Sequence, residues 1–207
     1  MELLQSILLA LTAGASALLI GRARRRYGEA DQPALFSALL GFILTAASAA
    51  CAAATLLGMD LEQARQWLER ASLLLGLPLI AIAALTLARR WAWSRPNWGR
   101  VVLGLCVFFE LARQLGWNEP YAFGVMLTSA LLAIYAGALQ WPARLPTLAG
   151  LAAGALLLGM APLPNGMSIA NPLGDLGPLL LAIASPLLTI LLVHLPGSTR
   201  EDAPAVA

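Results

Sequence analysis

ALFSALLGFILTAASAACAAATLLGM, residues 34–59, runs for twenty-six positions without a charged side chain. A helix rises 1.5 Å per residue, so about 20 apolar residues cross the ~30 Å hydrocarbon core of a bilayer. The same pattern recurs on both sides of this stretch. Seven segments qualify as spans, at Leu3–Ile20, Ala34–Met59, Ala71–Ala88, Arg100–Gly116, Tyr121–Gln140, Leu145–Ala161 and Gly177–Leu195. The fourth and sixth are the shortest, at 17 residues each, and are the first to fall if the number is lower.

Composition agrees. Of 207 residues, 59% are hydrophobic and 12% charged. Soluble domains carry roughly twice that charge, and disordered chains are charge-rich and poor in apolar groups. The expected fold is therefore all-α: an integral membrane bundle of seven transmembrane helices, one domain over 1–196, with a short cytoplasmic tail at 197–207.

Arginine sets the expected orientation. The first apolar stretch is preceded by Met1 and Glu2 and followed by Arg22, Arg24, Arg25 and Arg26. That polarity suits a retained first helix rather than a cleaved signal. With the N-terminus outside, the inner segments hold ten arginines and the outer ones only Arg65 and Arg70, with Arg113 inside a span. Cytoplasmic loops carry such an excess. Trp91, Trp93, Trp98 and Trp141 then fall at inner boundaries, and Trp67 and Trp117 at outer ones, as rings that favour the headgroup layer should. The expected location is the inner (plasma) membrane of a bacterium.

Asp60–Arg70 has an amphipathic pattern, with Leu61, Ala64, Trp67 and Leu68 at helical spacing. It either lies along the outer interface or extends the third helix, and the extension is the plainer reading.

Cohesion inside lipid depends on close backbone approach at small residues. Gly41, Thr45, Ala49 and Ala53 share one face of the second helix, which is expected to be the most buried. Ser129, Ala133 and Gly137 do the same on the fifth, and Gly150 and Gly154 form a GxxxG on the sixth. Pro78 and Pro186 are internal to the third and seventh helices, where each removes a backbone donor and kinks its helix. The strings that follow them are similar enough to raise a parallel internal repeat.

The polar residues inside spans are few. Glu110 lies about 15 Å into the fourth span, near the midplane. Arg113 and Gln114 follow within one turn. An ionised carboxylate at that depth costs roughly 2.5–3.5 kcal/mol, so Glu110 is expected to face the interior, paired or protonated. The pair either locks helix four to a neighbour or serves as a protonatable, cation-binding group on a pathway. Glu119, Asn171 and Asp175 are placed where they could rim a cavity opening outward, though the plainer role for Asp175 is to cap helix seven, with Pro178 in its first turn.

Several chemistries are excluded. All thirteen basic residues are Arg, so no lysine can form a Schiff base with retinal or any carbonyl substrate. One histidine, His194, and two separated cysteines, Cys51 and Cys106, make no metal-ligand set, and no metal or other cofactor is expected. A formal charge of +2 gives no case for nucleic acid. The expected partners are membrane lipids, with either a second copy or a partner membrane subunit. Three functions fit: a small-solute or ion transporter or channel using an intramembrane carboxylate, a non-catalytic membrane subunit or assembly partner, and a lipid-modifying intramembrane enzyme. An ionisable group inside a span favours the first. No catalytic residue is assigned.

Overall fold

The computed structural model describes residues 1–161 and 176–197, with side chains as far as Leu195. Among these residues there are seven helices and no strand. They are α1 (Glu2–Arg24), α2 (Gln32–Leu56), α3 (Glu62–Ala88), α4 (Arg95–Gln114), α5 (Asn118–Ala138), α6 (Arg144–Met160) and α7 (Gly177–Gly197). Five of them, α1, α2, α3, α5 and α7, are long and apolar enough to cross a membrane. The two exceptions are the two segments that were short in the sequence. α6 is apolar but has 17 residues, and α4 has 20 but carries charges at both ends.

The helices run up and down, so their ends gather in two layers. One layer holds the turns between α1 and α2, α3 and α4, and α5 and α6, and is rich in arginine. The other holds Glu2, the α2–α3 and α4–α5 turns and the start of α7, and is rich in glutamate. Six helices close a ring in the order α1, α2, α3, α5, α6, α7, with α1 packing back on α7. α3 also reaches across to α7, while α4 lies outside and leans on α2, α3 and α5.

α3 therefore takes the centre, and 67% of its best apolar window is buried against 44% for α2. The expectation that α2 is the most buried helix is corrected. Its small-residue face is buried as foreseen, with Thr45 at 2% and Ala49 at 3% exposure, but its other face looks outward, with Phe36 and Ile43 exposed. A ladder of small residues makes one close interface, whereas α3 is enclosed on several sides.

The close approaches fall where the small residues stand. A Cβ on Gly41 would lie 2.5 Å from the Gly76 carbonyl oxygen, so α2 and α3 cross backbone to backbone. Gly150 and Gly154 of α6 pack on the α5 ladder. A Cβ on Gly150 would meet the Gly137 Cα at 2.6 Å, and one on Gly154 would meet the Ala130 oxygen at 2.8 Å.

The two prolines behave differently. Ser72–Gly76, just ahead of Pro78, is a π-helical turn in which the Leu77 N–H reaches the Ser72 carbonyl five residues back. Proline leaves the carbonyl four residues before it without a donor, and a wider turn absorbs the mismatch. Pro186 stands exposed in α7, which is assigned as α-helix from end to end. The two strings therefore share composition without sharing local geometry.

Helix ends use related geometry. Gly58 (φ 95°) and Gly116 (φ 70°) sit in the left-handed region after α2 and α4, each followed by an N–H bonded five residues back. Arg90 (φ 54°) does the same after α3, with Trp91 N–H to the Thr86 carbonyl at 2.8 Å. A side chain in that region strains the backbone, which is why glycine is usual there. Tyr27 Oη donates to the Val193 carbonyl at 2.7 Å and ties the α1–α2 turn to the end of α7.

Candidate functional site

The sequence directs attention to Glu110, and its local pairing is as expected. Arg113 Nη2 donates to Glu110 Oε1 at 2.6 Å, its Nε donates to Oε2 at 2.9 Å, and Gln114 Nε2 donates to Oε1 at 3.1 Å. The surroundings are not as expected. Glu110 and Arg113 keep 44% and 52% of their side-chain surface exposed. Only Trp98 and Ala112 of α4 are buried. The inward-facing placement of Glu110 is thus corrected: α4 is peripheral, so most of its faces look away from the ring. Of the other expected rim residues, Glu119 is exposed in the first turn of α5. Asn171 and Asp175 lie outside the described residues, as do 198–207 of the tail. His194 is exposed near the end of α7, its Nδ1 2.8 Å from the Ile190 carbonyl.

The glutamate-rich end holds a cavity of about 590 Å³ between α1, α2, α3 and α7. Three carboxylates, Glu2, Glu62 and Glu69, line it together with one guanidinium, Arg65. Arg65 is held on both sides. Its Nη2 and Nε donate to Glu62 at 2.6 and 2.9 Å, and its Nη1 donates to Glu69 at 3.2 Å. Gln66 Nε2 donates to Glu62 Oε1 at 2.9 Å. These residues occupy the amphipathic first turns of α3, which continue without a break into the π turn, so the extension reading of this segment holds.

Hydroxyls line the deeper wall. Ser6, Thr45 and Ser72 are buried, at 8%, 2% and 3% exposure. Ser72 Oγ donates to Thr45 Oγ1 at 3.0 Å, and Thr45 Oγ1 donates to the Gly41 carbonyl at 3.0 Å. The Ser72 and Thr45 protons are spent on the protein, so toward a ligand these two oxygens can act only as acceptors. Thr55 is likewise turned to donate to the Cys51 carbonyl at 2.9 Å. Ser72 also opens the π turn, so the cavity wall is built at the one place where α3 departs from α-helical geometry. π turns recur at functional sites.

Sequence reasoning missed this cavity. In the sequence Thr45 reads as a packing residue, and Asp60–Arg70 as an amphipathic segment whose charged positions carry no site. The available signal was the spacing Glu62, Arg65, Glu69, which places all three on one helix face. Nothing local foretold that Thr45, Glu2 and the start of α7 would stand opposite. Cys51 and Cys106 are unpaired, and among the described residues no cluster of His, Cys, Asp and Glu has the form of a metal site.

No protein-family model matches the chain, and no curated protein or solved structure is significantly similar to it.

Proposed function

We propose that this protein is a multi-pass membrane transporter or channel for a small cationic solute, with the cavity at the glutamate-rich end as its binding site. One observation carries the reading: a cavity of about 590 Å³ with three carboxylates and one arginine at its mouth and buried hydroxyls behind them. The formal charge of those four groups is negative, which favours a cation. The hydroxyls offer acceptors, which suits a solute that brings N–H or O–H donors, such as an organic amine. Taken as spans, all seven helices place the arginine-rich end in the cytoplasm by the positive-inside rule. The cavity then opens outward at the outer face of an inner (plasma) membrane.

The moving part in this reading is α3. Pro78 and the π turn weaken its backbone ladder beside Ser72, and the Gly41–Gly76 contact supplies a pivot against α2. Tilting Glu62–Ala71 about that pivot would carry the Glu62–Arg65–Glu69 group across the cavity mouth. The test is flux of guanidinium, choline, Na⁺ and K⁺ into liposomes containing the purified protein. Uptake of at least one cation that falls with Glu69→Gln and with Ser72→Ala supports the reading. Absence of flux for all four, from protein shown to be folded, overturns it.

A second reading, a non-catalytic membrane subunit, is favoured by α4. Leu103, Val107, Phe108 and Leu111 are 47–65% exposed along that helix, an apolar surface that a partner chain could cover. Co-purification of a stoichiometric partner, lost on Phe108→Glu, would support it.

A further inference from the structure

A second concavity lies at the other end of the molecule. A groove of about 620 Å³ runs between α2 and α4 at the arginine-rich layer. Its walls are apolar, formed by Phe36 and Leu40 of α2 and Trp98, Val102 and Leu103 of α4, with Cys106 at the deep end. Arg24 and Arg95 stand at its mouth. We propose that this groove binds one anionic phospholipid, with an acyl chain along α4 and the phosphate between Arg24 and Arg95. The proposal is independent of transport and rests on the chain sitting in a bilayer with its arginine-rich end cytoplasmic and the first half of α4 running into one leaflet.

Three features point to this occupant. The first is charge. Among the described residues neither guanidinium has a carboxylate partner, since the ion pairs belong to Arg65 and Arg113. The Arg24 guanidinium carbon lies 4.9 Å from the centre of the Phe36 ring, a cation–π contact. A cation–π contact does not occupy the guanidinium's N–H donors with an acceptor oxygen, so the fork that matches phosphate stays available. Basic pockets between membrane helices on the cytoplasmic side take lipid head groups in this way.

The second is depth. Arg95 and Cys106 are eleven residues apart, which is about 16 Å along a helix. Half of a ~30 Å hydrocarbon core is about the same length. The groove thus has the reach of a single leaflet, and Trp98 lies near its mouth with the Trp93 ring tilted against it at 56°, centroids 5.6 Å apart, at the level where tryptophans meet the headgroups.

The third is room. α4 packs thinly, and a Cβ built on Gly99, which lines the groove, meets nothing within 4 Å. Protein does not fill this space, and water does not suit its apolar walls.

Cys106 provides the readout. In a Cys51→Ser background, the full-length protein in detergent is titrated with dioleoyl-phosphatidylglycerol, dioleoyl-phosphatidylcholine or inorganic phosphate, and maleimide labelling of Cys106 is timed. Phosphatidylglycerol should slow labelling saturably, at a concentration about tenfold or more below that needed for phosphatidylcholine. The Arg24→Gln/Arg95→Gln variant should remove that preference. The Arg25→Gln/Arg26→Gln variant, equal in charge change but away from the groove, should keep it. Gly99→Trp fills the groove and should abolish protection, a check that does not require altering the arginines. Equal protection by the two lipids, retained preference in the Arg24/Arg95 variant, or protection by phosphate alone would each overturn the proposal.

Discussion

Glu-x-Ala-Arg-Gln occurs twice in this chain, at Glu62–Gln66 near the start of α3 and at Glu110–Gln114 at the end of α4. The local chemistry is nearly the same. The shortest Arg–Glu contact is 2.6 Å in each, and the Gln–Glu bonds are 2.9 and 3.1 Å. The neighbourhoods differ. The first motif has a second acceptor in Glu69 and lines a cavity shared by α1, α2 and α7, while the second lies on the outer helix. A helix sets the bonds within a motif, and the packing of other helices sets what the motif can act upon.

The largest effect should come from removing the support of the first motif. Gly41→Leu drives a side chain into the Gly76 carbonyl and Ile80. It should destabilise the fold by about 3 kcal/mol, seen as a lowered thermal midpoint in detergent. The α4 motif makes no use of that crossing.

Charge removal tests the comparison directly. Glu69→Gln should lower cation flux about tenfold, equivalent to about 1.4 kcal/mol. Glu110→Gln should change it by less than about twofold, because this pair is screened by solvent and does not line the cavity. Greater loss at Glu110 than at Glu69 would reverse the assignment of the two motifs.

The hydroxyl pair should register next. A double-mutant cycle of Thr45→Val and Ser72→Ala, read by thermal unfolding, should give a coupling of about 0.6–1.7 kcal/mol. Independent effects would detach the cavity wall from the α2–α3 crossing.

Arg90→Gly should stabilise the protein by about 1 kcal/mol by relieving a left-handed backbone at the end of α3, with flux unchanged. The smallest effect concerns Asp31, in the turn before α2, where burial raises the carboxyl above its ordinary value of 3.8. The folded chain then holds that proton more tightly than the unfolded chain. Stability should fall as pH rises through the interval just above 3.8, and Asp31→Asn should flatten that slope.

Much of the fold was legible because its causes are local. Uninterrupted apolar runs gave the helices, and the two shortest runs are the two helices that fail the length and apolarity a span needs. Small residues at four-residue spacing gave the contacts at Gly41, Gly150 and Gly154, since close approach needs a missing side chain wherever the partner lies. The site was less legible. Glu110 drew attention because its neighbours in sequence are apolar, but apolar neighbours in sequence face lipid as readily as protein.

The amino-acid order alone determined that this chain is helical, rich in membrane-length segments and uneven in its arginines, because hydropathy and charge add up along each helix separately. The tertiary structure decided that α3 occupies the centre, that α4 stays outside, and that Thr45 and Ser72 stand behind Glu62, Arg65 and Glu69. A cavity is a relation among residues distant in the chain, and its position follows only from how the helices share one another's surfaces.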